Sequence, residues 1–301
     1  MPQRIFITGA GGKTGRAFLR RASEDPDLSG SSMTCLSRRG TGDPTLNAFP
    51  VRIVQGDAGE VESLTAAYSG EEIVINISSI FHVPTILEAV QGSARRFIVV
   101  SSTGVFSKYR ENAAEIARCE EMVRSSGIDY TILRPTMIYG TRDDRNISRL
   151  IELVRRHSIL PIPRSNRHAF QPVHVDDLAY CIAESLKRPS AVNKAYNIAG
   201  ANAYSLKEMV RIIAAVLGKR LITIPIPISI ANAAARLAGA LSRRASLQRE
   251  QLLRLSENKS FDYSDAADDL DYRPMSFEEG IGKAIETMSD AADDPDQRPV
   301  I

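Results

Sequence analysis

The chain has 301 residues, of which 43% are hydrophobic and 25% are charged, and its formal net charge at pH 7 is +2. This composition is typical of a globular protein with a large core, and it excludes a disordered chain and a strongly basic nucleic-acid binder. No apolar run is long enough to span a membrane, and a strand pattern begins within a few residues of the N-terminus, so we expect no membrane contact, no signal peptide and a cytoplasmic location.

The first element is an apolar strand at residues 4–8, which leads into a glycine-rich turn and then an amphipathic helix. Glycine stands at positions 9, 12 and 15 of this turn. A strand, this spacing and a helix form a dinucleotide-binding fingerprint, in which the backbone approaches a pyrophosphate at the helix N-terminus. The phosphate loop of nucleoside triphosphatases is excluded, because Ile7 stands where that loop requires its first glycine.

Five more strand-like runs follow the glycine turn, and helical stretches separate them. The runs occupy residues 33–37, 51–55, 73–77, 97–101 and 131–134, with helical periodicity at 60–68, 82–91 and 112–125. This alternation predicts an α/β fold with a doubly wound parallel sheet, the Rossmann fold. Ligands of such sheets bind at the carboxyl ends of the strands, so the residues that follow each strand are the candidate contacts.

Beyond Gly140 the pattern changes to helices joined by proline-bearing loops, in which Ser205 and Glu208 predict a capping box and Gly218 a helix end. We therefore predict a Rossmann domain of residues 1–139 plus 173–199. Residues 140–172 plus 200–288 would form a smaller, mostly helical substrate lobe. The acidic residues 289–301 have little apolar content and predict a disordered tail.

Three cysteines, Cys35, Cys119 and Cys181, stand far apart in apolar patterns. Such positions favour free buried thiols over a disulfide or a metal site. We expect no metal ion and no redox chemistry at sulfur.

The residues after the second strand indicate which dinucleotide is bound. An acidic residue there would bind the free 2′-hydroxyl of NAD, but Ser37 is followed by Arg38 and Arg39. Two guanidinium groups suit a 2′-phosphate, so NADP is favoured over NAD, unless both arginines simply face solvent. Asp57 either accepts from the adenine amino group or caps the next helix. The expected cofactor contacts are Gly9, Gly11, Gly12, Lys13, Thr14, Gly15, Arg38, Arg39, Asp57, Ala58, Ile77, Ser78, Ser101 and Pro135.

Several motifs occur in one order along the chain, and together they resemble a known family. They are Gly9-x-x-Gly12-x-x-Gly15, Gly56-Asp57, Ser101-Ser102-Thr103, Leu133-Arg134-Pro135, Tyr139-Gly140, the segment 172–177 and Tyr196-Asn197-Ile198. The set resembles the extended and atypical short-chain dehydrogenase/reductases of the NAD-dependent epimerase/dehydratase type, from residue 5 to about residue 280. The resemblance implies a Rossmann fold, a nicotinamide cofactor, a small-molecule substrate and often a homodimer through the helix that follows Asn112.

The resemblance also implies a catalytic tyrosine with a lysine four residues later, but Asn112 and Ile116 stand at the matching positions. Neither residue transfers protons. We interpret Asn112 as a helix cap acting with Glu115, and Ile116 as a core residue. Thr103 matches the serine or threonine of the family and is a candidate hydrogen-bond donor to a substrate carbonyl. In the loop before the helix, Lys108 and Tyr109 are candidates for a displaced cation and phenol.

Candidate substrate contacts are Thr103, Tyr139, Arg167 and His174, of which Arg167 is implied by the resemblance to sugar-nucleotide epimerases. Residues 142–167 hold seven arginines and three acids, which indicates either an anionic substrate or a solvated helix face. His174 alternates with Val173 and Val175, which favours a strand that connects the lobes. Asp176 and Asp177 suit the start of the following helix.

The sequence is compatible with three functions. The first is an NADP-dependent oxidoreductase that transfers hydride to a small-molecule acceptor without the Tyr–Lys pair. The second is a sugar-nucleotide epimerase or dehydratase, which the missing pair disfavours. The third is a non-catalytic NADP(H)-binding sensor or partner subunit, which would keep the cofactor motifs and lose the catalytic ones.

Overall fold

The structure is a computed structural model, and it describes residues 3–90, 92–108, 111–141, 144, 146–163, 169–227 and 259–290. The strands in this part of the chain are β1 Arg4–Thr8, β2 Ser32–Ser37, β3 Arg52–Gln55, β4 Ile73–Asn76, β5 Arg96–Val100, β6 Asp129–Pro135, β7 Ile138–Tyr139, β8 Ile159–Pro163, β9 Val173–His174, β10 Lys194–Ile198 and β11 Ile222–Ile226. The helices are α1 Lys13–Glu24, α2 Val61–Ala67, α3 Val83–Val90, α4 Ala113–Arg124, α5 Ile147–Arg156, α6 Val175–Lys187, α7 Leu206–Val216, α8 Ser264–Leu270 and α9 Phe277–Asp290.

Seven of these strands form one parallel sheet in the order β10-β6-β5-β4-β1-β2-β3. The central strand β1 pairs with β2 on one side and with β4 on the other. Its residues from Ile5 to Thr8 are all buried, as expected for a strand covered on both faces. The strand order reverses between β1 and β4, and this is where a doubly wound sheet opens a crevice for a ligand.

Helices cover both faces of the sheet and enclose two apolar cores. On one face, α1, α6 and α8 pack over a core that contains Ile5, Phe18 and Leu178. On the other face, α2, α3 and α4 pack over a core that contains Phe6, Val83 and Ile116. We call this sheet with its six helices the first lobe.

A second lobe contains α5, α7 and α9 with the parallel pair β8–β11, around a third core that includes Ile151, Ile213 and Ile281. The short parallel pair β7–β9 lies where the chain passes between the lobes. Within the described part of the chain, every helix is too short or too polar to cross a membrane.

Most of the predicted elements are confirmed, including all six predicted strands and the four helices α1–α4. The capping box of Ser205 and Glu208 is present, and Gly218 follows α7 with a φ of +63°. The three cysteines are free and buried. The seventh strand, β10, was not predicted as a strand, although its residues fall within the predicted Rossmann domain. Of the predicted tail, the first two residues end α9, and the remainder lies outside the described residues.

One predicted domain boundary is wrong. Residues 264–272 were assigned to the substrate lobe, yet Ala266, Leu270 and Tyr272 are buried in the core of the first lobe. The hydroxyl of Tyr272 donates to the carbonyl oxygen of Ala199 at 2.8 Å, and Lys194 on β10 pairs with Asp269 at 2.6 Å. The physical reason is that the edge strand β10 needs cover, and α8 supplies it.

Candidate functional site

The predicted cofactor turn lies at the carboxyl ends of the strands, between β1 and α1. Gly9 has a φ of +79°, and a Cβ there would lie 2.5 Å from the backbone nitrogen of Ser78. A Cβ on Gly15 would overlap the carbonyl oxygens of Gly9 and Ala10, so glycine is needed for α1 to pack here. Gly12 is exposed, and among the described residues its Cβ would meet only the carbonyl oxygen of Gly9, at 3.2 Å. The solvent side of the turn is therefore the side that a ligand can approach.

The N-terminus of α1 faces this open side of the turn. Its N-cap is Gly12, which has no side-chain capping bond, so the first-turn N–H groups are left to other acceptors. Lys13 begins the helix, half-buried, and Thr14 is buried behind it. Arg16 donates to the carbonyl oxygen of Gly11 at 3.1 Å and brings a cation to the rim. Free N–H donors, a helix dipole and two cations fit a dinucleotide pyrophosphate.

At the end of β2, Arg38 and Arg39 extend as exposed side chains beside a buried carboxylate that the sequence reasoning missed. This carboxylate belongs to Asp43, which accepts from the Ser37 hydroxyl at 2.6 Å and from the Thr45 hydroxyl at 2.7 Å. Burial disfavours its charged form, but these hydrogen bonds and the charge of Arg39 outweigh burial and hold the pKa of Asp43 below its ordinary value. Asp43 thus anchors the loop after β2 against the glycine turn.

The ends of β3 and β4 hold the next predicted contacts. Asp57 accepts the N–H of Gly59 at 2.9 Å, and the N-cap of α2 is Glu60, so Asp57 shapes the preceding turn and does not cap the helix. Ala58 and Ile77 are buried, whereas Ser78 is exposed at the rim. The half-buried carboxylate of Asp57 and the exposed hydroxyl of Ser78 are the groups placed to reach a ligand.

His82 also lies at this rim, although sequence reasoning did not single it out. Its Nδ1 lies 2.9 Å from the Ser78 hydroxyl. Partial burial and the nearby charge of Arg38 lower its pKa, and the charge of Asp57 opposes them. The Thr85 hydroxyl donates to the carbonyl oxygens of both His82 and Ala58, so His82 lies beside the ends of β3 and β4. The sequence predicted His82 as the first residue of a helix at 82–91, whereas it is the last residue of the short 3₁₀ turn Ile80–His82, which precedes α3.

At the ends of β5 and β6, a buried ion pair occupies the area where the resemblance implied chemistry. Glu120 on α4 accepts from the Ser101 hydroxyl at 2.7 Å and pairs with Arg134 at 2.5 Å and Arg124 at 3.1 Å. Burial opposes its charge, yet these partners hold the pKa of Glu120 below its ordinary value. The sequence indicated that Glu120 lies near the core, since it follows Ile116 by four residues and therefore stands on the same face of the helix.

Thr103, a predicted catalytic and substrate contact, and Pro135, a predicted cofactor contact, are adjacent in the structure. The Thr103 hydroxyl donates to the carbonyl oxygen of Pro135 at 3.2 Å, and both residues are buried. Because its proton is engaged there, Thr103 can accept a hydrogen bond from a ligand but does not donate one in this arrangement. This differs from the predicted role of a donor to a substrate carbonyl.

The catalytic pair is absent from the structure at the positions that the family motif assigns. Ile116 is fully buried, as predicted. Asn112 is the N-cap of α4, but its side chain makes no capping bond, because φ −98° and ψ 16° depart from the extended backbone that capping requires. Lys108 is exposed in the loop before the helix, and Tyr109 lies outside the described residues. Among the described residues near Thr103, none combines a phenol with an adjacent lysine.

The predicted substrate contacts Tyr139 and His174 lie buried where the lobes meet. Their rings pack edge to face with centroids 5.2 Å apart, and both residues are at most 3% exposed. His174 also accepts the N–H of Asp176, which fits the predicted role of a strand residue that connects the lobes. In this structure neither side chain is open to a substrate, because the pair fills the junction.

The acidic start of α6 is part of the same junction. Asp176 and Asp177 stand in the first turn, as predicted. Asp177 is buried and accepts the N–H of Met275 at 3.2 Å, and burial raises its pKa to about 7. This carboxyl therefore connects α6 to the segment that leads into the second lobe.

The arginine-rich segment is described only in part. Arg149, Arg155 and Arg156 lie on α5, where the last two pair with Glu152. Arg167 and three further arginines, at positions 142, 145 and 164, lie outside the described residues. The described arginines thus agree with the alternative of a solvated helix face.

A groove of about 490 Å³ lies on another face of the molecule, between α1, α6 and the residues that precede α9. Four cations line it, Arg20, Arg21, Arg273 and Lys283, together with four acids, Glu24, Asp176, Asp177 and Asp271. Its charges balance, and it includes none of the predicted catalytic residues. We therefore assign it no part in the chemistry.

Comparison with known proteins agrees with the geometry of the turn. Residues 9–189, more than half of the chain, match the model of the NAD(P)H-binding family. The chain belongs to this family. The match contains the glycine turn, the strand ends and the start of α6, so it confirms an NAD(P) site without distinguishing the two cofactors. It also supports the resemblance to the extended short-chain dehydrogenase/reductases.

Curated relatives in this group have different functions. The chain is 33% identical over 150 residues to NADH dehydrogenase [ubiquinone] 1 alpha subcomplex subunit 9 of Arabidopsis thaliana, which covers 48% of this chain and 37% of that protein. It is 26% identical over 161 residues to UDP-glucose 4-epimerase of Vibrio cholerae, which covers 47% of this chain and 49% of the epimerase. The chain thus spans less than half the length of both relatives.

Solved structures share the fold over nearly the whole chain. An NADPH-dependent quinone oxidoreductase from Escherichia coli superposes with a TM-score of 0.74 at 19% identity, covering 93% of this chain and 99% of that one. UDP-glucose 4-epimerase from Thermotoga maritima gives a TM-score of 0.71 at 18% identity, with 96% and 100% covered. At these identities the likeness establishes the fold alone.

Proposed function

We propose that this protein is an NADP(H)-dependent oxidoreductase that reduces a small-molecule acceptor without a Tyr–Lys pair. The observation that carries the proposal is an intact cofactor turn beside strand ends where Ile116 and the Glu120–Arg134 ion pair replace proton-transfer groups. A cofactor of this kind supplies hydride when bound. The chain itself would supply orientation, through the glycine turn, Ser78 and the edge formed by Thr103 and Pro135.

The preference for NADP rests on the end of β2. Arg38 and Arg39 are exposed there, and the only carboxylate on the following loop segment 40–45, Asp43, is engaged with Ser37 and Thr45. An engaged carboxylate is a poor acceptor for the 2′-hydroxyl of NAD. Two guanidinium groups favour the dianionic 2′-phosphate of NADP.

Without the Tyr–Lys pair to donate a proton, the site restricts which classes of acceptor can be reduced. Reduction of a simple ketone leaves an alkoxide, which needs a proton donor close by. A quinone or a conjugated enone accepts hydride and leaves a delocalised anion, which can take its proton from water. Acceptors of this second kind are therefore the best candidates for a site where Thr103 and Ser101 have engaged their own protons.

A second function is favoured by a separate observation. The relative from Arabidopsis thaliana is named as a subunit of NADH dehydrogenase, and the Glu120–Arg134 pair would make the ends of β5 and β6 rigid. A non-catalytic NADP(H)-binding subunit would require nothing more than the cofactor site. A sugar-nucleotide epimerase is less well supported, since it needs reversible proton transfer at an alcohol.

Nicotinamide fluorescence tests these alternatives with purified protein and NADPH. We expect enhanced fluorescence on binding, and oxidation of NADPH in the presence of quinones or enones but not of simple ketones or sugar nucleotides. Gly12→Val, which crowds the open side of the turn, provides the non-binding control. Binding without oxidation by any acceptor class would favour the subunit, and absence of binding would overturn both proposals.

A further inference from the structure

His82 belongs to none of the family motifs, and it lies at the end of the cofactor site where we expect the adenosine to bind. The role that we assign to it depends on that proposed site. His82 follows β4, contacts Ser78, and lies near enough to Arg38 and Asp57 for both charges to act on it. Ser78 in turn adjoins Gly9, since a Cβ on Gly9 would lie 2.5 Å from its nitrogen. The Thr85 hydroxyl, 2.8 Å from the carbonyl oxygens of both His82 and Ala58, links His82 to the end of β3. The ends of β1, β3 and β4 thus come together beside one imidazole.

The orientation of the ring follows from Asn76, which lies fully buried behind it. The Asn76 amide donates from Nδ2 to the carbonyl oxygen of Ser79 at 2.8 Å, and its Oδ1 accepts the N–H of Ser78 at 3.2 Å. A carbonyl can only accept and a backbone N–H can only donate, so both ends of the amide are fixed. Oδ1 is therefore an acceptor toward every hydroxyl that touches it.

Two hydroxyl groups touch that oxygen. Thr8 Oγ1 lies 2.8 Å from Asn76 Oδ1, and Ser78 Oγ lies 2.7 Å from it. The two hydroxyl oxygens also lie 3.2 Å from each other, which is longer than an ordinary O–H···O hydrogen bond, so each hydroxyl directs its single proton to the nearer Asn76 oxygen. The Ser78 oxygen then has no proton left for His82, and it must accept one.

This proton count determines the tautomer of His82. The contact of 2.9 Å between Ser78 Oγ and His82 Nδ1 requires the proton on Nδ1, which leaves Nε2 of the neutral ring as a bare acceptor. The charge of Arg38 and partial burial both disfavour the doubly protonated ring, against the charge of Asp57. A neutral acceptor is thus presented at the rim.

We propose that His82 recognises the adenine base of the cofactor by accepting a hydrogen bond from the 6-amino group at Nε2, with its tautomer fixed by the Thr8–Asn76–Ser78 chain. The two acceptors Asp57 and His82 lead into α2 and α3 on one side of the sheet, and Arg38 and Arg39 lead into the loop that packs, through Leu46, on the other side. An amino group suits the first side and a 2′-phosphate the second. A bare Nε2 would repel phosphate oxygens, so His82 and the arginines divide the adenosine end between them.

Calorimetric titration with NADP⁺ and with nicotinamide hypoxanthine dinucleotide phosphate, which has a 6-oxo group in place of the amino group, tests this assignment. We expect the protein to bind NADP⁺ about tenfold more tightly than the analogue. His82→Phe, which keeps a ring of similar size, should reduce this ratio to about twofold. His157→Phe replaces an exposed histidine on the second lobe and should keep the ratio. Melting curves of the variants confirm that they fold.

The outcomes separate the inference from the proposed function. If NADP⁺ does not bind at all, the cofactor assignment and this inference both fail. If NADP⁺ binds and His82→Phe keeps the tenfold ratio, only the inference is overturned. Tighter binding of wild type relative to His82→Phe as the pH falls from 8 to 5.5 would also overturn it, because a protonated ring serves phosphate and cannot accept from an amino group.

The tautomer itself has a readout that requires no cofactor activity. Nitrogen NMR of protein labelled at histidine distinguishes a protonated Nδ1 from a protonated Nε2. We expect His82 to be protonated at Nδ1 at pH 7.5, and Ser78→Ala to shift it toward the other tautomer. A proton on Nε2 in the wild-type protein would contradict the hydrogen-bond chain on which the inference depends.

Discussion

Individual side chains at the end of β2 determine how the protein balances the negative charge of the cofactor. Asp43 balances Arg39, because its carboxylate is buried beside that residue and responds to its charge. The charge of Arg38 instead acts on His82. The two arginines are adjacent in sequence but lie in different electrostatic surroundings.

This division gives a prediction for cofactor preference. Replacing both Arg38 and Arg39 by Ala should weaken NADP⁺ binding by about 10- to 100-fold, the range expected for one or two charge-assisted hydrogen bonds, and NAD⁺ binding by less than about threefold. Calorimetric dissociation constants for both cofactors measure this. Arg52→Ala removes an exposed arginine from the opposite end of β3 and serves as the control. Equal losses for NADP⁺ and NAD⁺ would remove the assignment of NADP.

Some residues of the candidate site could be predicted from the sequence, and others could not. The glycines and the arginines after β2 could be predicted, because their spacing from a strand has a direct physical meaning. Asp43 and His82 could not be assigned, since the turns that bring them to Ser37 and Ser78 follow no periodic pattern. The role of Glu120 could not be assigned either, since its partners are distant in the sequence. Ser101 and Arg134, for example, reach Glu120 from different strands. Long-range pairing of this kind leaves no periodic pattern in one sequence.

Among the elements, the strand–turn–helix unit β1–α1 combines two requirements that mutation can separate. Gly15 is needed for helix packing, whereas Gly12 leaves room on the solvent side. We expect Gly15→Ala to prevent stable folding, because its Cβ overlaps two backbone carbonyls. Gly12→Ala should fold normally and bind NADP⁺ at least about tenfold more weakly.

Circular dichroism melting and calorimetric titration measure the two effects. Gly30→Ala is the matched control, since no described atom lies within 4 Å of the Cβ it would introduce. A stable, binding-competent Gly15→Ala protein would show that the turn is not packed as described. Unchanged affinity in Gly12→Ala would contradict the position of the pyrophosphate.

Element prediction succeeded where hydrophobic periodicity was strong and failed where it was weak. The strands β1, β2, β4, β5 and β6 are short apolar runs that are largely buried between the helices on the two faces of the sheet. The edge strand β3 is only partly buried, but Ile53 and Val54 give it a short apolar run as well. The edge strand β10 begins with the exposed Lys194 and is interrupted by half-buried residues, so its pattern resembles that of a loop. Edge strands carry less apolar sequence because only one neighbour pairs with them.

For the whole molecule, the junction between the lobes holds a carboxyl group with an unusual titration. Burial raises the pKa of Asp177 to about 7, from an ordinary value of 3.8, while Asp176, Lys283 and Glu279 act on it as well. The folded protein therefore keeps this proton between about pH 4 and 7, where the unfolded chain has lost it. Folding stability decreases over that range as the pH rises, and the contribution levels off above it.

Asp177→Asn should remove this dependence. The amide still offers an oxygen to the N–H of Met275, so the variant should gain stability over wild type by up to about 1.4 kcal/mol per pH unit between pH 5 and 7, with no further gain above pH 8. Urea unfolding at several pH values measures the difference. Asp268→Asn, an exposed site on α8, is the control. If the difference in stability between the variant and wild type decreased as the pH rose, a buried, neutral carboxyl at Asp177 would be contradicted.

The return of the chain to the first lobe has a consequence for synthesis on the ribosome. Strand β1 emerges first, yet the apolar layer around it includes Leu270 and Tyr272. The cofactor turn can therefore form early, while one side of the sheet stays uncovered until residues 266–272 have been translated. During that interval the nascent protein exposes apolar surface, and a dinucleotide that binds the early strands would help to hold them together until the last helices arrive.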